Sequence, residues 1–238
     1  MGKLSERLQD LLERGVAAGC LFTTAPVMGA IALLVKATSK GPVLYVGKRL
    51  GKEGRVFSMK KFRSMADGAP MIVEGYKTQI RDHDQRLTPI GRLLRHGFDE
   101  LPQLFNIAAG EMSFVGPRPD NDWMEEHYTD VLRDRLKVRP GIVGLAQVLD
   151  SRGLPLETGY MLDVYYVRHR SLLLDGLILG MTPLYVLGWK SVGQSLLDHV
   201  LKDPEYSPEK FRPLDQTAKE ASQKKATPRR RRAGGKRG

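Results

Sequence analysis

Residues 98–119 read FDELPQLFNIAAGEMSFVGPRP, and the architecture turns on how this stretch folds. Asp99 and Glu100 stand side by side just after Gly97, a residue suited to ending a helix. Leu101-Pro102-Gln103-Leu104-Phe105 then reads as a new helix opening. Asp is a preferred N-cap, and Pro is tolerated in a first turn whose N–H groups lack intrahelical partners. A carboxylate pair is thereby expected where free N–H groups and the positive end of the helix dipole converge. Such a place suits a phosphate, or a metal carrying one. A plainer account is equally open at this point: Asp99 caps the helix and Glu100 decorates its first turn. The stretch closes on Ser113-Phe114-Val115-Gly116-Pro117-Arg118-Pro119, an apolar run ending in a turn. Its two prolines fix φ on either side of a single guanidinium, so the charge of Arg118 can be aimed.

Three further segments flank it: Lys60-Lys61-Phe62-Arg63-Ser64-Met65 upstream, Val138-Arg139-Pro140-Gly141-Ile142-Val143-Gly144 downstream, and Leu162-Asp163-Val164-Tyr165-Tyr166-Val167 beyond. With these motifs in this order, the chain resembles the bacterial sugar-transferase family, the monotopic polyprenol-phosphate phosphoglycosyl transferases. The resemblance covers roughly residues 10–200.

Length and charge bound the remainder. The 238 residues suffice for one sizeable domain or two small ones. The net charge of +11 is unevenly placed, because residues 217–238 hold nine Lys/Arg and one Glu and the rest carry only +3. The single cysteine, Cys20, excludes an internal disulfide and fits a reducing compartment.

Upstream, residues 4–14 place Leu4, Leu8, Leu11 and Leu12 at amphipathic-helix spacing, and Glu6, Asp10 and Glu13 argue against a signal peptide. Residues 15–35 carry no charge; as a straight helix they would be ~30 Å long, about a bilayer core. Pro26 sits near the centre, where a missing hydrogen bond and ring clash favour a kink, with Thr23 and Thr24 nearby to satisfy freed carbonyls. Basic residues flank both ends (Lys3, Arg7 and Arg14; Lys36, Lys40, Lys48 and Arg49), whereas a spanning helix usually has one positive side. A re-entrant helical hairpin broken at Pro26 accounts for both features, and the resemblance implies the same; a buried core helix and a simple span are the alternatives. Residues 43–59 then read as strand, glycine-bounded turn and strand, a β-hairpin delivering residues 60–63. Residues 66–86 are polar and irregular, expected to form a short helix and loop over the site. Thr88 and Pro89 mark a helix start that Gly97 ends.

Downstream, residues 120–138 look helical, with Trp123, Met124, Tyr128, Val131 and Leu132 as packing groups. Arg139 to Val148 read as a basic turn entering a short strand. Leu145 stands where the family usually has Trp, and residues 151–160 lack its usual polar and aromatic groups, which bears on sugar and prenyl-phosphate specificity. Residues 171–201 are strongly apolar but broken by Gly176, Gly180, Pro183 and Gly188. They are expected to form interfacial helices with Tyr185 and Trp189 at headgroup level, a second transmembrane helix being the alternative. From Thr217 the basic tail is expected to be disordered.

The expected fold is therefore α+β: a helix-rich, membrane-associated domain with a small β-hairpin and an N-terminal re-entrant membrane helical hairpin. Its parts are residues 1–40 (membrane), 41–203 (catalytic) and 204–238 (basic tail). The resemblance implies transfer of a sugar-1-phosphate from a UDP-sugar to a polyprenyl phosphate, releasing UMP, at the cytoplasmic face of the bacterial inner membrane. In that chemistry Asp99 is the nucleophile and Mg²⁺ neighbour, and Glu100 orients the acceptor phosphate or manages its proton. Lys61, Arg63, Arg118 and Arg139 are expected to contact phosphate. Membrane lipids and a second copy of the chain are the other expected partners; nucleic acid is not. Two rival functions are a scaffold binding anionic lipid through the tail and a metal-dependent nucleotide-sugar hydrolase.

Overall fold

The computed structural model describes residues 3–66, 86–149, 154–187, 193–211 and 213. Most of the segment 66–86, residues 151–153, Trp189 and the tail 217–238 lie outside the described residues, as do the expectations placed on them.

Helix α1 (Lys3–Thr38) is one element of 36 residues, with Pro26 inside it. The helix runs on through Pro26, and no loop divides it into two. Thr23 and Thr24 hydroxyls donate to the Gly19 and Cys20 carbonyls at 2.7–3.2 Å. That is one turn earlier than Phe22, whose carbonyl faces the proline ring. The helix is long and apolar enough to cross a membrane, by length and composition. One stripe of it packs on the rest of the chain at two places. Ala17 joins Phe57, Met59, Leu104, Ile107 and Met112, while Ile31 and Val35 join Phe62 and Leu94. The spacings of Asp10, Ala17 and Ile31 (seven and fourteen residues) and of Cys20, Met28 and Val35 (eight and seven) are those of a single helix face. Phe22 and Leu33 point away from it, 84% and 74% exposed.

The hairpin forms as expected. Strands β1 (Leu44–Leu50) and β2 (Val56–Phe62) pair antiparallel, with Tyr45 opposite Lys61. Helix α2 (Pro89–Leu94) is capped by Thr88, whose hydroxyl accepts from the Gly91 N–H at 3.0 Å. Helix α3 (Gln103–Ala108) leads to β3 (Ser113–Val115), which pairs in parallel with β4 (Gly141–Val143). The closeness of this pair explains two motif glycines. A Cβ on Gly116 would lie 2.6 Å from the Arg139 carbonyl oxygen, so a side chain there would force the strands apart.

Two other expectations change in detail. Residues 120–138 form two short 3₁₀ segments, Asp122–His127 and Leu132–Lys137, instead of one helix. The cause is tertiary: Tyr128 and Arg135 both fold back onto the Asp120 carboxylate, which a straight helix forbids. The expected packing residues hold, with Met124, Tyr128 and Leu132 buried in the main core. The short strand expected within residues 139–148 is β4, and it ends at Val143, after which the chain becomes helix α4 (Leu145–Leu149). The Gly144 N–H donates to Gln147 Oε1 at 2.8 Å, a side-chain bond that favours turning over extension.

Helices α5 (Leu156–His169), α6 (Leu172–Val186) and α7 (Gln194–Lys202) complete the body. Helix α6 shows Leu172, Leu173 and Leu177 to the outside, a large apolar surface beside the one on α1 in character. The tail begins later than position 204, because Tyr206 and Phe211 are 1% exposed within the main core. Burying two aromatic rings stabilises that strap by roughly 1.5–3 kcal/mol each.

Candidate active site

Gly97 adopts φ +110°, a conformation open to glycine, and ends the segment that follows α2. The chain then makes a single 3₁₀ turn over Phe98–Glu100 before Pro102 opens α3. Asp99 makes no side-chain cap for either element, so the capping account does not describe it. Its side chain is buried instead, the residue being 7% exposed.

Why the pair faces β2 is settled by a residue that the sequence did not single out. Asn106, fully buried on α3, accepts from the Lys60 backbone N–H at 3.1 Å and donates to the Ser58 carbonyl at 2.8 Å. It thus fastens α3 along the exposed backbone of β2. Lys61 Nζ then donates to Glu100 Oε1 at 2.7 Å. Arg118 donates to the same oxygen at 2.9 Å from the far motif. Lys61, Asp99, Glu100 and Arg118, scattered over 58 positions, therefore meet in one site.

The electrostatics give the two carboxylates different characters. Burial works against ionised Glu100, but Arg118 and Lys61 outweigh it and hold its pKa at about 2. Burial raises the pKa of Asp99, and the charge of Lys61 offsets only part of that. Lys61 is lowered to about 8 by burial, with Arg118 pushing the same way and Glu100 opposing. The Glu100 charge raises Arg118. At neutral pH the site thus combines a permanently ionised Glu100 with a more basic, less solvated Asp99, the pattern of a shared acid–base or nucleophile site.

Arg118 is aimed through its backbone. Arg135 NH2 donates to the Arg118 carbonyl at 2.9 Å. Arg135 is itself buried, paired with Asp163 at 2.9 Å and with Asp120, and stacked 4.4 Å from the Tyr160 ring. Asp163, from the third flanking motif, therefore supports the Arg118 turn from behind. Burial raises its pKa to about 6, against the pull of Arg135.

The other two expected phosphate contacts lie elsewhere. Arg139 pairs with Glu13 at 2.9 Å and with Asp10, and reaches the Met112 carbonyl at 3.3 Å. Both of its terminal nitrogens are engaged by α1 and its neighbours, away from Glu100. Arg63 donates to the Ser39 hydroxyl at 2.7 Å and the Ser39 carbonyl at 3.2 Å, beyond the C-terminal end of α1. Its Nε and NH1 are buried without a partner among the described residues.

The donor set also bears on a metal. Among the described residues, no three His, Cys, Asp or Glu side chains converge into a closed metal cage. Mg²⁺ does not need one; it is commonly held by one or two carboxylates together with substrate phosphates. Asp99, a buried carboxylate beside an already clamped Glu100, fits that mode.

The bacterial sugar transferase family model matches residues 4–189. A UDP-glucose:undecaprenyl-phosphate glucose-1-phosphate transferase of Klebsiella pneumoniae is 38% identical over 74% of this chain and 39% of its own length. A UDP-N-acetylgalactosamine-undecaprenyl-phosphate N-acetylgalactosaminephosphotransferase of Aeromonas hydrophila is 38% identical, over 74% of this chain and 42% of its length. The exopolysaccharide production protein ExoY of Sinorhizobium fredii is 33% identical over 76% of this chain and 85% of its length. The chain thus spans about two fifths of the first two relatives and most of the third. From its motifs, their order and these matches, this chain belongs to the bacterial sugar transferase family.

Proposed function

We propose that the protein transfers a sugar-1-phosphate from a UDP-sugar to a polyprenyl phosphate through a covalent intermediate on Asp99. The observation that carries this reading is Glu100 clasped by Lys61 at 2.7 Å and Arg118 at 2.9 Å beside a buried Asp99 of raised pKa. An Asp99 oxygen attacks the phosphorus that bears the sugar, the bond to the bridging oxygen of the diphosphate breaks, and UMP leaves. An oxygen of polyprenyl phosphate then attacks the same phosphorus, releases the Asp99 carboxylate and forms the prenyl diphosphate-sugar. Lys61 and Arg118 lower the repulsion between carboxylate and diphosphate and stabilise charge on the transferring group. Glu100, held ionised by both, fixes those cations in place. Asp99 and the donor phosphates would hold Mg²⁺, which would supply further charge neutralisation.

The membrane reading has its own support. Helix α1 touches the same folded body on both sides of Pro26, through Glu13 and Arg14 near its start and through Ile31, Val35 and Ser39 at its end. A helix that crossed the bilayer and left its catalytic body on one side would lose one of those contacts. The exposed Phe22 and Leu33 of α1 and Leu172 and Leu173 of α6 suit burial in lipid. We therefore infer a re-entrant seat for α1 at the cytoplasmic face of the inner membrane, with α6 in the interface, where the head of a polyprenyl phosphate lies.

The deciding experiment omits the acceptor. With Mg²⁺ and the correct member of a UDP-sugar panel, the protein should release at most one equivalent of UMP and gain the mass of one phosphosugar on the peptide holding Asp99. Asp99→Asn should show neither. Continuous turnover without acceptor would identify a hydrolase, and an active Asp99→Asn protein would sink the covalent route.

A further inference from the structure

Arg49 lies on the strand that carries none of the residues assigned so far. It stands opposite Phe57 at the turn end of β1, on the face shared with Tyr45 and, across the hairpin, Lys61. That end is stitched to the segment after Arg118. Arg49 forms a backbone bridge with Asn121, and the Leu50 N–H donates to the Asp120 carbonyl at 2.9 Å.

Its surroundings are built. The Tyr45 ring lies back along β1 over Gly47, where an added Cβ would come within 2.7 Å of the phenol oxygen and 2.9 Å of the ring. Gly47 thus leaves the space in which the Tyr45 hydroxyl bonds the Arg49 side chain. Arg49 also reaches the Lys48 carbonyl at 3.3 Å. Among the described residues no carboxylate forms an ion pair with it. Asp120 is nearby, but its Oδ2 is taken by Arg135 and Tyr128. The charge of Arg118 is felt at Arg49: burial, and then that charge, act to lower the Arg49 pKa, against Tyr45 and Asp120. Arg118 already shares Glu100 with Lys61. Arg49 is thus a partly buried guanidinium that no ion pair among the described residues answers, beside one that shares its carboxylate with Lys61, and an anion would supply the missing partner.

We propose that Arg49, oriented by Tyr45, binds the phosphate of the donor that departs with the nucleoside, while Lys61 and Arg118 hold the phosphate that is transferred. This rests on the reaction proposed above: a diphosphate carries two phosphate groups, and the Asp99 site as described grips one. Arg49 is then a binding residue for the leaving nucleoside monophosphate.

The test is calorimetric titration of the full chain in detergent with UDP and, separately, UMP. A charge-assisted bond of this kind is worth ~1.5–3 kcal/mol, so Arg49→Gln should weaken both ligands by ~10–100-fold. Arg49→Lys should recover part of that, because a point charge replaces a fork. Tyr45→Phe should cost less, ~3-fold or more. Arg118→Gln should weaken UDP while leaving UMP nearly as before. In turnover assays the donor KM should rise in Arg49→Gln with the polyprenyl phosphate KM unchanged. Binding of both nucleotides by Arg49→Gln within about 2-fold of wild type, a loss confined to UDP, or a rise in acceptor KM would each overturn the assignment. Should Arg49→Gln fail to fold, unaltered UMP binding by Tyr45→Phe would overturn it as well. Failure of the transfer reaction itself is read separately: wild type would bind UDP yet release no UMP from any sugar donor.

Discussion

Glu13 and Arg139 are 126 positions apart in the chain and 2.9 Å apart in space. The contact joins the first turns of helix α1 to the residue that leads into β4. Glu13 also accepts from the Ser113 hydroxyl at 2.7 Å, so the same carboxylate holds the starts of both β3 and β4. Gln9 extends the seam to Asp175 on α6 at 3.2 Å. A polar lock of this kind on an otherwise apolar helix fixes how α1 lies against the body.

Charge reversal tests that lock. Glu13→Arg should set two guanidiniums against each other and cost about 1–3 kcal/mol, the range for lost charged hydrogen bonds. The Glu13→Arg, Arg139→Glu double variant should recover much of the loss in thermal unfolding. If Arg139→Glu alone abolishes donor binding while leaving stability intact, Arg139 is a phosphate contact and not a clamp.

Activity should follow a bell-shaped pH profile. On the acid side, Asp99 must be ionised to attack, and its raised pKa puts that limb above the usual carboxylate range. On the alkaline side, Lys61 loses its proton near its pKa of about 8 and the clamp on the transferring phosphate weakens. Glu100, held at about 2, is ionised throughout and supplies neither limb. Lys61→Arg, active or weakly active, should carry the alkaline limb upward, since a guanidinium stays charged. An alkaline limb unmoved by that change would assign it to another group.

Asp99→Asn should be inactive and yet no less stable than the parent. A carboxylate whose folded pKa lies above its unfolded value opposes folding at every pH where it is ionised, and the neutral amide removes that cost. Thermal midpoints near neutral pH should therefore stay level or rise, by roughly 2–4 °C for each kcal/mol recovered. The advantage should shrink as acid protonates Asp99 in the parent. A clear fall in midpoint would mean that Asp99 is a structural acid.

Topology has a direct readout. In a Cys20→Ala background, cysteines at Lys3 and at the exposed Lys48 should both resist an impermeant maleimide added outside intact cells. Both should react after permeabilisation. Labelling of one position from outside would make α1 a span. Pro26→Leu, which restores the missing N–H, should favour that spanning state.

Local chemistry made several parts of this chain legible in its sequence. Strand alternation around glycines marked the β1–β2 hairpin, Thr88-Pro89 marked the start of α2, and Gly97 marked the turn into Asp99 and Glu100. These features depend on neighbours along the chain, so a reading of residue types finds them. Lys61, Asp99, Glu100 and Arg118 were named from motif order, and the structure brings them together. Pairings between distant segments were decided only in three dimensions. The parallel β3–β4 contact, the Asn106 fastening of α3 to β2, and the burial of Arg135 under the Arg118 turn leave no local periodicity to detect. The assignment of Arg63 and Arg139 to α1, and of Tyr206 and Phe211 to the core, belongs to the same class. A basic or aromatic side chain has many partners open to it, and burial and charge balance choose among them only once the chain is folded.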